Sequence, residues 1–299
     1  MPLHRLTSTD AFLVVDVPGA PSAVGIVRCA RKILVDGAEL LARSVTYTAA
    51  SFDIVASGAS AGINAEGDAR DAAIAAFAGE VGGLVPDTAL ELTAGKGVAA
   101  DELAGLGTPA MDPALRDRLV AVGAVAAAER ALGSLDGVSV AVDDVAGVGP
   151  AVIELVGSAG ARLVEGDPAA GRPARGPEAD VWFVGSKVGV IDHDVAAQLR
   201  NRLIVPIGAL PVTARGLAVA RRNGIVVLPD FVTCAGPVLA ALAPPDVATP
   251  PDDDVARRIR DQIDAVIDHE HGPLLGACFA AEVFLATWTD ELPFGRPLA

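Results

Sequence analysis

The turn Asp144-Val145-Ala146-Gly147-Val148-Gly149 has the residue types and surroundings closest to a recognisable chemistry. It joins a β-branched run, Val138, Val140 and Val142, to apolar residues at helical spacing over 150–156. A second extended run opens at Ala161, and Asp167 stands just beyond it. A glycine-rich turn between strand and helix offers free N–H groups and the positive end of the helix dipole to a diphosphate. An acid about twenty residues further on takes the ribose hydroxyl. The dinucleotide fingerprint requires glycine at the first, third and sixth positions of such a turn. Here Asp144 and Ala146 hold the first two, and Gly149 is kept with an extra Gly147 beside it. Gly147, Gly149 and Asp167 are therefore the candidate cofactor-binding residues, for NAD or NADP. Asp143 and Asp144 count against binding, because carboxylates just before a helix cap it and repel an anion.

Two histidine-bearing stretches are weaker. Asp268-His269-Glu270-His271 carries metal-ligand residue types, but histidines two apart at a helix end point to different sides, and no third ligand is evident. His193, between Asp192 and Asp194, reads as a helix-start residue in a polar turn. No metal is expected. The three cysteines, Cys29, Cys234 and Cys278, are widely spaced and form no C-x-x-C pair, which fits small hydrophobic residues in a reduced cytoplasm. A net charge of −15 argues against nucleic acid or an anionic membrane as partner. The N-terminus has no apolar signal region, and no long apolar run spans a membrane.

The positioning elements follow in chain order. Residues 11–16 and 23–29 read as strands joined by Pro18-Gly19-Ala20-Pro21, hence as a neighbouring pair or hairpin. Helices are expected over 37–48, 68–81 and 99–106, with strands at 52–56 and 89–93 and a small-residue stretch at 57–63. Residues 107–113 have the composition of a hinge, and a long helix follows over 114–132. Residues 167–178 are too rich in proline and glycine for a normal helix, so the crossover there looks cut short. Strands at 181–184, 202–205 and 224–227 alternate with helices at 194–199 and 212–222, and two helices close the chain at 255–268 and 274–289. The fold class is α/β with two lobes. An α/β lobe over 1–130, for substrate and oligomerisation, is completed by a C-terminal helix within 274–299. A Rossmann-like, doubly wound parallel-sheet lobe covers 131–273. With 52% hydrophobic but only 4% aromatic residues, the cores are built from Ala, Val, Leu and Ile.

Several stretches together resemble the glutamate/leucine/phenylalanine/valine dehydrogenases, within them the leucine-dehydrogenase type. Gly25-Ile26-Val27-Arg28 is similar to the family's G-G-x-R, and residues 45–50 (VTYTAA) to M-T-Y-K-N-A. Residues 57–60 (SGAS) resemble G-G-A-K, and Thr93-Ala94-Gly95-Lys96 resembles T-A-E-D. Residues 224–236 (GIVVLPDFVTCAG) are close to G-I-x-x-x-P-D-Y-V-x-N-A-G, the longest and most specific match.

The resemblance implies a two-lobed fold, oxidative deamination with a nicotinamide cofactor, and an oligomer. It also implies that the chemistry has changed. The lysine that binds the substrate carboxylate is Thr48, the catalytic lysine is Ser60, and the catalytic aspartate is Lys96. The asparagine after P-D-Y-V-x is Cys234, Gly58 keeps its place in the substrate-binding stretch, and Lys187 stands in the loop near the nicotinamide ribose. A hydroxyl has no titration near neutral pH and is no counter-ion for a carboxylate, so ordinary deamination is expected to be lost. Lys96, if desolvated, would serve as a base or form a Schiff base; between two glycines it also reads as a solvated loop residue. Three outcomes stay open at this point. The chain is repurposed for a small-molecule ligand or a different reaction, or it is an NAD(P)-dependent oxidoreductase on an unusual amino-acid- or imine-like substrate, or it is a partner subunit. As an oligomer it would pair with itself or with an active paralogue.

Overall fold

A computed structural model describes residues 1–106, 111–143, 147–164, 178–185, 187–243 and 251–299. Its contacts divide the chain into two compact units, residues 1–112 with 282–297 and residues 113–281 with 298–299. The long helix, grouped with the first lobe on sequence, thus lies in the second unit.

The first unit contains β1 (Leu3–Arg5), β2 (Ala11–Val15), β3 (Ser22–Ala30), α1 (Val35–Ser51), β4 (Ser57–Asn64), α2 (Arg70–Glu80) and β5 (Ala89–Ala94). Its sheet runs β1-β2-β4-β3-β5, antiparallel on the β1–β2–β4 side and parallel across β4, β3 and β5. Two expectations are corrected. The strands β2 and β3 are not neighbours, because β4 lies between them. Residues 52–56 are not a strand; the small-residue stretch after them is, and it becomes the centre of the sheet. Ser, Gly and Ala have weak intrinsic strand preference, and packing overrides it here.

The packing is specific. Ala59, Ala61 and Ile63 face a core shared with Leu13, Val15, Ile74 and Phe77, while Phe12 and Val14 meet Ala38 and Ala42 of α1 on the other face. A Cβ added at Gly58 would lie 1.8 Å from the Ala42 carbonyl oxygen and 2.9 Å from the Thr46 nitrogen, so helix and strand approach backbone to backbone. The Gly58 N–H donates to Thr46 Oγ1 at 2.9 Å and fixes the contact. The buried Arg43 of α1 grips Asp16 at the end of β2, with Nε 2.9 and 2.8 Å from the two carboxylate oxygens.

The second unit runs α3 (Pro113–Leu132), β6 (Ser139–Val142), α4 (Val148–Ser158), β7 (Arg162–Leu163), β8 (Val181–Val184), α5 (His193–Gln198), β9 (Leu203–Pro206), α6 (Ala214–Arg222), β10 (Val226–Val227), α7 (Asp230–Thr233), α8 (Gly236–Ala241), α9 (Asp252–Val266) and most of α10 (Pro273–Leu285). Its sheet is parallel throughout, ordered β10-β9-β8-β6-β7. The central strands β8 and β9 are buried along their whole length, as apolar runs covered on both faces must be. α3 packs against α4, α8 and α9. Among the described residues, no helix is long and apolar enough to cross a membrane.

If the backbone approach at Gly58 is what orders the first unit, Gly58→Ala lowers its stability by about 2–3 kcal/mol or more through overpacking. Urea denaturation followed by circular dichroism measures this. A loss under about 0.5 kcal/mol, as for an ordinary surface substitution, would refute it.

Candidate functional site

In the second unit, β7 lies on one side of β6 and β8 on the other, so the strand order reverses at β6. Crevices at such a reversal, beyond the carboxyl ends of the strands, are where open α/β sheets bind ligands. Here the Asp143 carboxylate bridges the two strand ends. It accepts from the buried Trp182 indole Nε1 at 2.8 Å and from the Gly185 N–H at 3.2 Å, while the Asp143 N–H donates to the Phe183 carbonyl at 2.9 Å. The expectation that Asp143 caps the next helix is corrected. The N-cap of α4 is Gly147, which has no side chain with which to cap the helix. The neighbouring strand's donors draw the Asp143 carboxylate sideways instead.

Gly147 has φ +86°, the left-handed conformation glycine tolerates best, and an added Cβ there would lie 1.8 Å from Asp117 Oδ2. A second carboxylate, paired with Arg116 at 2.9 Å, thus lies against the turn. A diphosphate brought here would meet the Asp143 and Asp117 carboxylates, and the described side chains do not suit it. Gly149 is buried in the first turn of α4, and Lys187 is exposed beyond Gly185. Asp144, Ala146 and Asp167 lie outside the described residues.

The stretch 224–236 has a structural account. Asp230 Oδ2 accepts from the N–H of Leu210, a non-glycine residue at φ +54°. Thr233 Oγ1 donates to the Pro206 carbonyl at the end of β9 at 2.8 Å, and Cys234 Sγ donates to the same oxygen at 3.6 Å. Burial first, and then the Asp230 charge, push the Cys234 thiol up to about 12. His193 opens α5 behind an Asp192 N-cap that accepts from Asp194 and Val195 N–H groups. Asp192, His193 and Asp194 offer ligand atoms within 4.8 Å of one another, in a mostly exposed cluster without further support. The rings of His269 and His271 pack on Phe279, with centroids 5.5 and 5.9 Å away.

In the first unit, β4 pairs Ser60 with Val14 and Ile26, and β3 pairs Ile26 with Thr93. Ser60 is fully buried, and its Oγ has no hydrogen-bond partner. Thr48 is buried in α1 and donates to the Ser44 carbonyl at 3.1 Å, so its hydroxyl is engaged within its own helix. Gly58 serves the approach of α1 described above. Lys96 is exposed in the turn after β5, its carbonyl accepting from the Cys29 N–H at 2.9 Å. The register sets Lys96 three residues past the row of Ser60 and two strands over, about 14 Å at the backbone. The structure therefore does not bring Ser60 and Lys96 together.

The same register brings together residues that motif matching passed over. Ile26, Arg28, Ser60, Gly62, Glu91 and Thr93 share the α1 face of the sheet. Arg28 is half-buried, with Nε and Nη2 fully buried and without hydrogen-bond partners. Burial lowers its pKa and raises that of Glu91, the changes expected of charges on a partly desolvated face. The sequence signal for Arg28 was available: a lone cation within the apolar strand AVGIVRC.

No protein-family model matches the chain, and no curated protein sequence does. Solved structures do. A hetero-hexameric glutamate dehydrogenase from Thermus thermophilus, in a leucine-bound form, is 21% identical over 92% of this chain and 83% of its own, with a TM-score of 0.73. The L-tryptophan dehydrogenase of Nostoc punctiforme is 18% identical over 96% and 94%, with a TM-score of 0.69. The glutamate dehydrogenase of Plasmodium falciparum is 14% identical over 93% and 79%, with a TM-score of 0.73. The chain has the fold of the amino-acid dehydrogenases.

Within that fold, positions 48, 60 and 96 carry a threonine bonded to its own helix, a sealed serine and an exposed lysine. At position 234 the raised thiol pKa keeps the sulfur protonated at neutral pH, when thiols react as thiolates. Iodoacetamide at pH 8 should leave Cys234 of the native protein unmodified, with labelling only after unfolding, as peptide mass spectrometry would reveal. A folded-state thiol pKa above the unfolded one also gives stability that is full below about pH 9 and is lost as pH rises from there towards about 12. Rapid labelling of native Cys234 would contradict this.

Proposed function

We propose that this chain is a divergent relative of the amino-acid dehydrogenases that does not deaminate amino acids. Its nucleotide-type unit has closed its diphosphate crevice, and the protein works by binding a small ligand, alone or as the partner subunit of an active enzyme. The observation that carries this reading is the Asp143 carboxylate held between Trp182 Nε1 and the Gly185 N–H at the reversal of strand order. A fixed carboxylate beside the crevice opposes the charge of a diphosphate. Ser60, Thr48 and the separation of Lys96 from Ser60 support the same reading, because no described residue at these positions pairs a carboxylate-binding amine with a catalytic one. An oligomer is proposed from the relatives, one of which is described as a hetero-hexamer.

A second reading keeps NAD(P)-dependent oxidoreductase activity on an unusual amino-acid- or imine-like substrate, with Lys96 or Lys187 as the functional amine. It draws on α4, which opens from a left-handed glycine that brings no capping side chain of its own. Free N–H groups at a helix start attract anions.

Calorimetric titration with NAD⁺, NADH, NADP⁺ and NADPH separates the two. The proposal expects no binding heat, no change in Tm, and no glutamate- or leucine-dependent reduction of NAD⁺ at 340 nm. Saturable binding of any of the four, abolished by Gly147→Asp, would favour the oxidoreductase. Co-purification of a sister dehydrogenase would favour the partner-subunit form, and a self-assembled oligomer alone would favour the ligand-binding form.

A further inference from the structure

A cavity of about 560 Å³ lies in the first unit, away from the strand face that carries Ser60 and Thr93. Small-molecule sites commonly measure about 300–1,000 Å³. One wall is the turn after β2, from Asp16 to Gly19. A second is α1 at Glu39 and Arg43, and a third is residues 288–294, which follow α10.

The third wall is fixed in place. Arg43 Nη1 donates to the carbonyls of Phe294 and Gly295, while its Nε and Nη2 hold Asp16. Arg296 Nε and Nη2 hold Glu282 at 2.6 and 2.8 Å, and the buried Tyr47 donates to the same carboxylate at 3.0 Å. Thr289 Oγ1 donates to the Glu291 carbonyl at 2.8 Å. On this pinned backbone Phe294 is 98% exposed and Leu292 48%. Exposed apolar side chains gathered at a cavity mark a binding surface. Trp288 lines the cavity too. Its Nε1 is closed off and unpaired among the described residues, so the indole offers carbon there and no donor.

The charge of the walls selects the ligand. Arg43 is the only side-chain cation among the described lining residues, and its nitrogens are engaged by Asp16 and the two carbonyls. Glu39, half-buried, and Asp290 and Glu291, both exposed, bring carboxylates with no ion-pair partner among the described residues. An anion would meet no free cation in these walls. An ammonium carries N–H donors that need acceptors, and carboxylates are acceptors only. Aromatic faces attract the same charge.

We infer that this cavity binds a small organic ammonium ion with an apolar body. Glu39, Asp290 and Glu291 meet the charge, and Trp288, Leu292 and Phe294 meet the body. The inference goes beyond the proposed loss of deamination. It uses no residue of the nucleotide-type unit and stands or falls independently of dinucleotide binding.

The chain has two tryptophans, Trp182 and Trp288, hence two indole N–H signals in ¹H–¹⁵N spectra of the full chain. Loss of one signal in Trp288→Phe assigns both, and Trp182→Phe does so if the first variant does not fold. Butylammonium chloride, added at constant ionic strength, should move the Trp288 signal saturably. It should leave in place that of Trp182, which is bonded to Asp143 in the second unit. At the same concentration, butan-1-ol (no charge), butanoate (opposite charge) and ammonium chloride (no tail) should move neither. Phe294→Ala removes a ring that is almost wholly exposed, so the fold is kept, and it should weaken binding about two- to fivefold. Glu39→Gln combined with Asp290→Asn should weaken it about tenfold. An unmoved Trp288 signal, an equal response to any of the three controls, or unchanged affinity in either variant overturns the inference.

Discussion

The approach of α1 to β4 at Gly58 is the constraint on which the first unit depends. Backbone meets backbone there, with no room for a Cβ, and a strand N–H donates to a helix hydroxyl. Once that contact is made, the strand must carry small residues wherever it faces the helix. Gly58, Ser60 and Gly62 follow with period two on that face, and Ser60 becomes fully buried. A long amine at position 60 would have to leave the interface or hold the helix away from the sheet. Position 60 in this fold is a sealed place for a small side chain. The buried Asp16–Arg43 pair reinforces it by tying the end of β2 to the same helix. A buried pair of this kind is weak evidence for added stability but strong evidence for a fixed geometry, since breaking it strands a charge.

In the second unit a single carboxylate has the corresponding role. Asp143 stands where the strand order reverses, and its hydrogen bonds to Trp182, Phe183 and Gly185 knit the ends of β6 and β8 together. Trp182 is the largest of the fully buried side chains that end near it, and its indole N–H needs an acceptor in an apolar interior. Asp143 satisfies it. The helix α4 starts from the left-handed Gly147, which brings no capping side chain.

Legibility in the sequence differed between the units for physical reasons. The parallel sheet was readable because Val181–Val184 and Leu203–Pro206 are apolar runs buried on both faces, which announce themselves whatever surrounds them. The centre of the other sheet was not. A serine–glycine–alanine run looks like a loop until the helix that presses on it is known, and the apolar 52–56 run beside it took the strand assignment instead. The neighbour relation of β2 and β3 failed similarly, because a short turn says nothing about a strand arriving 27 residues later to insert between them. Among site residues, motif matching found positions 48, 58, 60, 96 and 234, whose spacing is preserved. It passed over Arg28, which sits inside a matched motif and differs from its neighbours only in having a charge that nothing in the fold answers.

Asp143 and Arg28 are opposite solutions to the same electrostatic problem. A chain of net charge −15 repels anions in general, but salt screens that repulsion within about 8 Å at physiological ionic strength. What an anion meets is therefore the last few ångströms. At the strand reversal it meets the Asp143 carboxylate, which adds repulsion for a ligand bearing several negative charges. On the α1 face the Arg28 Nε and Nη2 atoms are closed off from solvent, so the fold itself carries the penalty of burying that edge of the cation.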